Sequence, residues 1–101
     1  MENKSKIFSM LGLARKAGKL VSGEFMTENS IKSGKARLVI ISEEASDNTR
    51  KHFKDMCSYR NVPCVEFGTK EELGHYTGSE MRASLALTDQ GFADAISRLF
   101  E

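Results

Sequence analysis

The stretch VSGEFMTENSIKSGKARLVIIS, residues Val21–Ser42, contains a helix, a sharp stop and a strand in close succession. Ser22 is a typical N-cap residue, so we predict a helix that starts after it and runs to Ser33. Gly34 then supplies the left-handed residue that commonly terminates a helix. The segment RLVIIS that follows is almost continuously aliphatic, which is typical of a strand covered on both faces.

Similar signals alternate along the rest of the chain. We predict a first helix from about Lys4 to Ala17, stopped by Gly18, and a short strand at Leu20-Val21. The remaining predicted elements are a third helix capped by Ser46 or Asp47, a strand VPCVEF, a short helix opened by a Thr69–Glu72 capping box and ended by Gly74, a strand SLALT, and a last helix capped by Asp89. The alternation predicts an α/β fold, an α/β/α sandwich with helices on both faces of a sheet.

Length and composition are those of a globular chain. With 101 residues, we expect one domain that spans residues 1–101. No run of about 18 apolar residues is present, so no membrane span is expected. We interpret the start MENKSKIFSMLGLARKAGK as an amphipathic helix rather than a signal peptide, because Arg15 and Lys16 break its apolar segment.

The two cysteines, Cys57 and Cys64, do not have the spacing of a metal site. A structural zinc ion needs four ligands, and the two histidines, His52 and His75, do not complete a recognisable ligand set. We therefore expect two reduced, packed thiols in a cytoplasmic protein, with no metal and no cofactor.

The charge of the chain is unevenly distributed. Its net charge is +1, but residues 1–37 contain eight Lys/Arg and three Glu, a net charge of +5, which leaves −4 for the remainder. One interpretation is a face that binds an anion. The other is a chance asymmetry on a solvated surface.

No motif predicts catalysis. The segment SGKA has the Gly-Lys of a phosphate-binding loop, but position 29 is Asn instead of Gly, and Ala36 replaces the Ser or Thr that binds magnesium. There is no Gly-x-Ser-x-Gly nucleophile elbow. The acidic pairs Glu43-Glu44 and Glu71-Glu72 are adjacent residues, and adjacent residues on a helix point about 100° apart, which suits acid–base catalysis poorly. We do not expect an enzyme.

The ordered set SGEFMTENSIKSGKARLVIISEEAS, NVPCVEF and KEELGHYTG resembles the kink-turn-binding ribosomal proteins of the archaeal large-subunit L-seven-Ae type. The likeness covers nearly the whole chain and is greatest to the small bacterial YlxQ branch. It implies a three-layer α/β/α sandwich with a mixed sheet of about four strands. It also implies a non-catalytic, ribosomal or ribosome-associated protein, a monomer, that binds structured RNA such as ribosomal RNA. A protein-interaction adaptor of the same fold is the alternative, and a small enzyme is a more distant one.

The resemblance implies an RNA site at the first turn of the helix near Gly23, completed by the loop before SLALT. Gly23 permits close approach of a phosphate, and the free N–H groups of a first helical turn attract anions. Lys19, just upstream, and Lys32, two turns in, are expected near the same end of the site or along its flank, so that the basic first third of the chain surrounds this helix entrance. Many family members carry Asn, Glu and Lys where this chain has Phe25, Met26 and Asn29. Phe25 either stacks on a base or belongs to the core. The expected RNA-binding residues are Lys19, Gly23, Glu24, Phe25, Asn29, Lys32, Glu43, Met81, Arg82 and Ala83.

Overall fold

The structure, a computed structural model, describes residues 2–101, and side chains are described for residues 3–101. Five helices and four strands alternate along this part of the chain. They are α1 (Glu2–Lys16), β1 (Leu20–Ser22), α2 (Glu24–Lys32), β2 (Leu38–Ile41), α3 (Asp47–Arg60), β3 (Cys64–Glu66), α4 (Lys70–Tyr76), β4 (Ser84–Leu87) and α5 (Gln90–Leu99). None of these helices is long and apolar enough to span a membrane.

The four strands form one mixed sheet in the order β1-β4-β2-β3. β2 and β3 are parallel, and β4 is antiparallel to both β1 and β2. β1, β2 and β3 therefore all run in one direction. We call the end of the sheet where they terminate and β4 begins the upper end. The opposite end, where they begin and β4 terminates, is the lower end.

Successive residues of β2 point to opposite faces, and each face is covered by helices. Leu38 and Ile40 belong to a core formed with α1, α4 and α5, whereas Val39 and Ile41 belong to a core formed with α2 and α3. All four are buried. The predicted three-layer sandwich, its mixed sheet and its doubly covered aliphatic strand are confirmed.

Several predicted helix ends are confirmed by their hydrogen bonds. Ser46 caps α3, Thr69 and Glu72 form the reciprocal capping box of α4, and Asp89 caps α5. Gly34 adopts φ 78° just beyond α2, as its role of helix terminator requires. The prediction that Ser22 caps α2 is wrong by one residue. Ser22 ends β1 opposite Leu85, because the antiparallel pairing with β4 continues that far.

The prediction that Gly74 ends α4 is also wrong, because the helix continues to Tyr76. Gly74 is buried inside the helix, and a Cβ atom built on it would lie 1.6 Å from Glu80 O. Glycine is needed at this position because the backbone at Glu80 packs directly against it, and not because the helix ends there. It allows the segment that returns toward β4 to cross directly over α4.

The two cysteines are free, as expected, and both pack in the core between the sheet and α3. Cys57 is buried and Cys64 is half-buried. The hydrogen bond with Cys64 raises the pKa of the Cys57 thiol, and burial raises it further. Cys57 is therefore a protonated packing residue.

Candidate nucleic-acid interface

The N-terminus of α2 opens at the upper end of the sheet without a side-chain cap. Gly23 is its N-cap residue, with φ 94° and ψ 157°, a backbone conformation that residues other than glycine rarely adopt. Gly23 N–H donates to Ser84 O (2.9 Å), and Gly23 O accepts from Thr27 N–H (2.9 Å). The N–H groups of residues 24–26 have no acceptor among the described residues. These three groups, here called the α2 mouth, lie at the positive end of the helix dipole and favour an anion.

Arg82, in the loop before β4, lies across the α2 mouth. Its backbone N–H donates to Lys70 O (3.0 Å), and its Nε donates to Ser22 Oγ (3.2 Å). A Cβ atom on Gly23 would lie 3.7 Å from Arg82 Nε, so the guanidinium passes over the glycine. The predicted juxtaposition of the first turn of α2 with this loop is confirmed. A cation and three free N–H donors therefore face the same solvent.

Buried hydroxyl groups support this arrangement from below. Thr27 and Ser84 are fully buried, and Ser84 Oγ donates to Thr27 Oγ1 (3.4 Å). Ser42, at the end of β2, donates its N–H to Ala83 O (2.8 Å) and its Oγ to Gly68 O (3.1 Å). Sequence reasoning included Ser84 in the loop before β4 but missed Thr27, for which no sequence signal was available, and Ser42. The usable signal was a hydroxyl residue at the end of an otherwise aliphatic strand, which must find a hydrogen-bond partner when buried.

Large apolar side chains are exposed on both sides of the α2 mouth. Phe25 is 75% exposed and Met81 is 58% exposed, and Met26 is exposed as well. The two interpretations of Phe25 are thereby resolved, since it is not a core residue. An exposed aromatic ring beside anion-binding donors is a suitable platform for stacking a base.

The upper end of the sheet carries both charges, and cations from outside the first third of the chain lie there: Arg50, Lys70 and Arg82. Glu24 and Glu43 are both exposed there. Glu44 Oε1 accepts from Lys70 N–H (2.9 Å) and so caps α4. Arg82 is the cation in contact with Gly23. The interpretation that the basic first third of the chain surrounds this helix entrance is therefore wrong.

Lys19 and Lys32, which were expected near the mouth or along its flank, are placed differently. Lys19 precedes β1 at the lower end, where its C=O accepts from Thr88 N–H (2.9 Å). Roughly 13 Å of extended chain separates it from Gly23. The structure thus places Lys19 at the other end of the sheet from Gly23, because β1 runs straight between the two ends. Lys32 lies two turns along α2, on its flank, with its Nζ 2.8 Å from Glu28 Oε2.

Glu28 reduces the charge that Lys32 can offer to a ligand. The hydrogen bond from Lys32 lowers the pKa of the Glu28 carboxyl, and the contact with His52 of α3 (3.3 Å) lowers it further. Asn29, next to this pair, is exposed and its side chain makes no hydrogen bond with the described residues. Its amide is therefore free to meet a ligand.

The described residues contain no group of three His, Cys, Asp or Glu side chains arranged to hold a metal ion. A hollow of about 580 Å³ beside α4 is lined by Glu71, Glu72, His75, Tyr76, Ser79, Glu80 and Met81. The hydrogen bond from Thr69 N–H lowers the pKa of the Glu72 carboxyl, and Lys4 lowers it further. Glu72 is thus a charged helix cap and a poor proton donor.

Comparison with known proteins identifies the family. The sequence profile of the ribosomal protein L7Ae/L30e/S12e/Gadd45 family matches residues 5–97. The chain belongs to this family. The resemblance seen in the sequence is therefore confirmed.

Two relatives within the family are named as RNA-binding proteins. The RNA-binding protein YlxQ of Bacillus subtilis (strain 168) is 42% identical over 94 residues, which cover 93% of this chain and 94% of the relative. The RNA-binding protein YlxQ of Enterococcus faecium is 38% identical over 99 residues, 98% of this chain and 95% of the relative.

Solved structures with the same fold include one protein of closely similar size. A Bacillus halodurans C protein of unknown function superposes with a TM-score of 0.89 at 32% identity, over 93% of this chain and 95% of the other. The Giardia lamblia 15.5kD RNA binding protein superposes with a TM-score of 0.82 at 19% identity, over 98% of this chain and 85% of the other. The second likeness, at this low identity, is one of fold.

Proposed function

We propose that this protein is a non-catalytic RNA-binding protein, ribosomal or ribosome-associated, that recognises structured, kink-turn-like RNA at the α2 mouth. We further propose that it acts in the cytoplasm as a monomer and that ribosomal RNA contains its target. The observation that carries the proposal is the position of Arg82 across three unsatisfied N–H groups at Gly23. Membership of a ribosomal protein family and the names of relatives up to 42% identical support it.

Each part of the site has a role that its chemistry suits. The N–H groups of residues 24–26 and the Arg82 guanidinium bind phosphate oxygens of a sharply bent backbone. Phe25 stacks on a base that the bend has released, and Met81 with Ala83 packs against a second one. Asn29 donates its amide hydrogens to a purine edge, since a kink opens the otherwise unreadable deep groove of RNA. Glu24 and Glu43 disfavour the binding of plain duplex RNA to the same surface, because their carboxylates repel its phosphates.

The test is binding of a kink-turn RNA and a plain duplex of equal length, each at two salt concentrations. Asn29→Ala should weaken the kink-turn complex by ~1–3 kcal/mol and leave the plain duplex unchanged. Asn29→Lys adds a charge where relatives carry lysine and should tighten kink-turn binding. If neither substitution changes discrimination between the two RNAs, Asn29 and its helix are not the reader.

An adaptor function is the second candidate, favoured by the exposure of Phe25 and Met81. A protein partner would bury these side chains, and its affinity would respond weakly to salt. RNA binding in which Lys and Arg side chains neutralise about four phosphates should instead give a slope of about −3 to −4 for log affinity against log salt concentration. The salt dependence therefore separates the two functions with the same protein sample.

A further inference from the structure

Three of the eight basic residues in the first third of the sequence, Lys19, Lys35 and Arg37, lie at the lower end of the sheet. Lys19 directly precedes β1 and Arg37 directly precedes β2. Their neighbouring strands join them, because Thr88 N–H donates to Lys19 O (2.9 Å) and Arg37 N–H donates to Leu87 O (2.7 Å). Both side chains are exposed.

The C-terminal ends of α2 and α3 bring two more cations to this end. Lys35 follows the α2 terminator and lines a hollow that extends along α2 from Thr88 at the lower end to Asn29 and Met26. Arg60 ends α3, and its Nη1 donates to Lys32 O (3.1 Å). Arg60 and Arg37 both line another hollow of about 580 Å³, whose other polar residues include Asn61 and Gln90. We call Lys19, Lys35, Arg37 and Arg60 the lower basic face.

Helix stabilisation explains only part of this cluster. Cations near helix C-termini offset the negative end of the dipole, and this accounts for Arg60 on the last α2 carbonyl and for Arg37, whose Nη1 donates to Gly34 O (3.1 Å). It does not account for Lys19 and Lys35, whose side chains make neither a hydrogen bond nor an ion pair with the described residues.

The local carboxylates do not neutralise the face. Asp89 lies at the same end, but its Oδ2 accepts from Phe92 N–H (2.9 Å) and caps α5. Asp94, one turn further, accepts from Gln90 Nε2 (2.8 Å). No carboxylate lies within ion-pair distance of the four cations in the described part of the chain, in contrast to Lys32 with Glu28. A polyanion would meet four exposed cations with most of their N–H groups still free.

We infer that the lower basic face is a second RNA-binding surface, which holds the phosphate backbone of a segment other than the one read at the α2 mouth. Backbone contacts of this kind position a protein on RNA without reading sequence. The inference rests on the proposed RNA-binding function. In this account the lower basic face provides electrostatic affinity for any RNA backbone, and the α2 mouth discriminates between RNA shapes.

The test uses three variants of the full chain: Lys19→Gln/Lys35→Gln at the lower basic face, Arg82→Gln at the α2 mouth, and Lys6→Gln/Lys51→Gln as a control of equal charge change. Lys6 and Lys51 are exposed and belong to neither surface. Each variant is titrated with a plain RNA duplex and with a kink-turn RNA whose stems extend well beyond the kink. Fluorescence anisotropy over a series of salt concentrations gives the affinity and its salt slope.

We expect the lower-face variant to lose about tenfold or more in affinity for both RNAs at low salt, with a slope about 1.8 smaller in magnitude, as two lost phosphate contacts require. The control should change affinity by less than about threefold, because it alters only net charge. Arg82→Gln should weaken the kink-turn RNA and spare the plain duplex.

Three outcomes would overturn the inference, and they are distinguishable. If the lower-face variant and the control lose affinity equally, the effect comes from the change in net charge and not from the lower basic face. If the lower-face variant keeps its affinity for both RNAs while Arg82→Gln binds the kink-turn RNA more weakly, the lower basic face does not bind RNA. The proposed function would then still hold. If the unmodified protein binds neither RNA, the proposed function fails together with the inference.

Discussion

Gly74→Ala tests the mechanism by which the Arg82 loop is held over the α2 mouth. Gly74 lies inside α4, where alanine would by propensity stabilise the helix by ~1 kcal/mol. The structure predicts the opposite sign. The added Cβ would lie 1.6 Å from Glu80 O, 2.4 Å from Glu80 C and 3.0 Å from Met81 Cα. These are backbone atoms, so no side-chain rotation relieves the overlap.

The magnitude follows from the displacement required. An ordinary contact of about 3.4 Å would need a shift of about 1.8 Å in the segment that leads to Arg82. Overpacking of this kind costs roughly 1–3 kcal/mol, which exceeds the gain in helix propensity. We therefore expect a net loss of up to roughly 2 kcal/mol in the free energy of unfolding and a fall in Tm of up to roughly 16 °C.

Urea denaturation of the two proteins measures this difference, and Gly12→Ala is the matched control. Gly12 also lies inside a helix, but a Cβ atom there would meet Tyr76 O at 3.5 Å, an ordinary contact. Gly12→Ala should therefore be neutral or stabilise the protein by up to ~1 kcal/mol. If Gly74→Ala is as stable as Gly12→Ala, the close crossing of the loop over α4 is refuted.

Three further predictions concern Phe25, Glu72 and Cys57. Phe25→Ala should change the free energy of unfolding by less than about 0.5 kcal/mol, since the ring is exposed, but weaken kink-turn RNA binding by ~1–3 kcal/mol; unchanged affinity in a titration would exclude stacking. The pKa of Glu72 is lowered, so its charge stabilises the fold above the usual glutamate pKa, and this contribution is lost as the pH falls through the lowered value. Denaturation of Glu72→Gln, which keeps the hydrogen bond to Thr69, should then differ from the parent at about pH 7 and converge with it once the pH has fallen below the lowered pKa of Glu72. Cys57→Ala should reduce stability by at most a few kcal/mol and leave the RNA affinity of the folded protein unchanged; stoichiometric zinc in the purified protein would contradict this reading of the cysteine.

The fold was predictable because its signals are local and agree with one another. The aliphatic run Leu38–Ile41 could be stable only as a strand covered on both faces, and the caps at Thr69 and Asp89 are determined by residues three positions apart. Gly74 shows the limit of local reasoning. A glycine after a short helical pattern has the same appearance whether it terminates the helix or admits a crossing backbone, and only the tertiary contact with Glu80 distinguishes them.

The candidate site was predictable in its segments but not in its electrostatics. The family resemblance indicated the first turn of α2 and the loop before β4, which the structure brings together through Arg82 and Ser22. Sequence proximity suggested that Lys19 lies near Gly23, but the strand β1 carries the chain between them from one end of the sheet to the other. The direction of β1 could not be known relative to the site before the pairing with β4 was known.

The central claim is that RNA contacts the backbone N–H groups at the start of α2, and the amide resonances of the protein test it most directly. A nitrogen–proton correlation NMR spectrum would be recorded while a kink-turn RNA with short stems is titrated into the protein. The account predicts that the largest shifts occur at residues 24–26, because their N–H groups gain acceptors, and at Arg82. Tight binding with unperturbed amides at residues 24–26 would contradict the claim and move the recognition surface elsewhere.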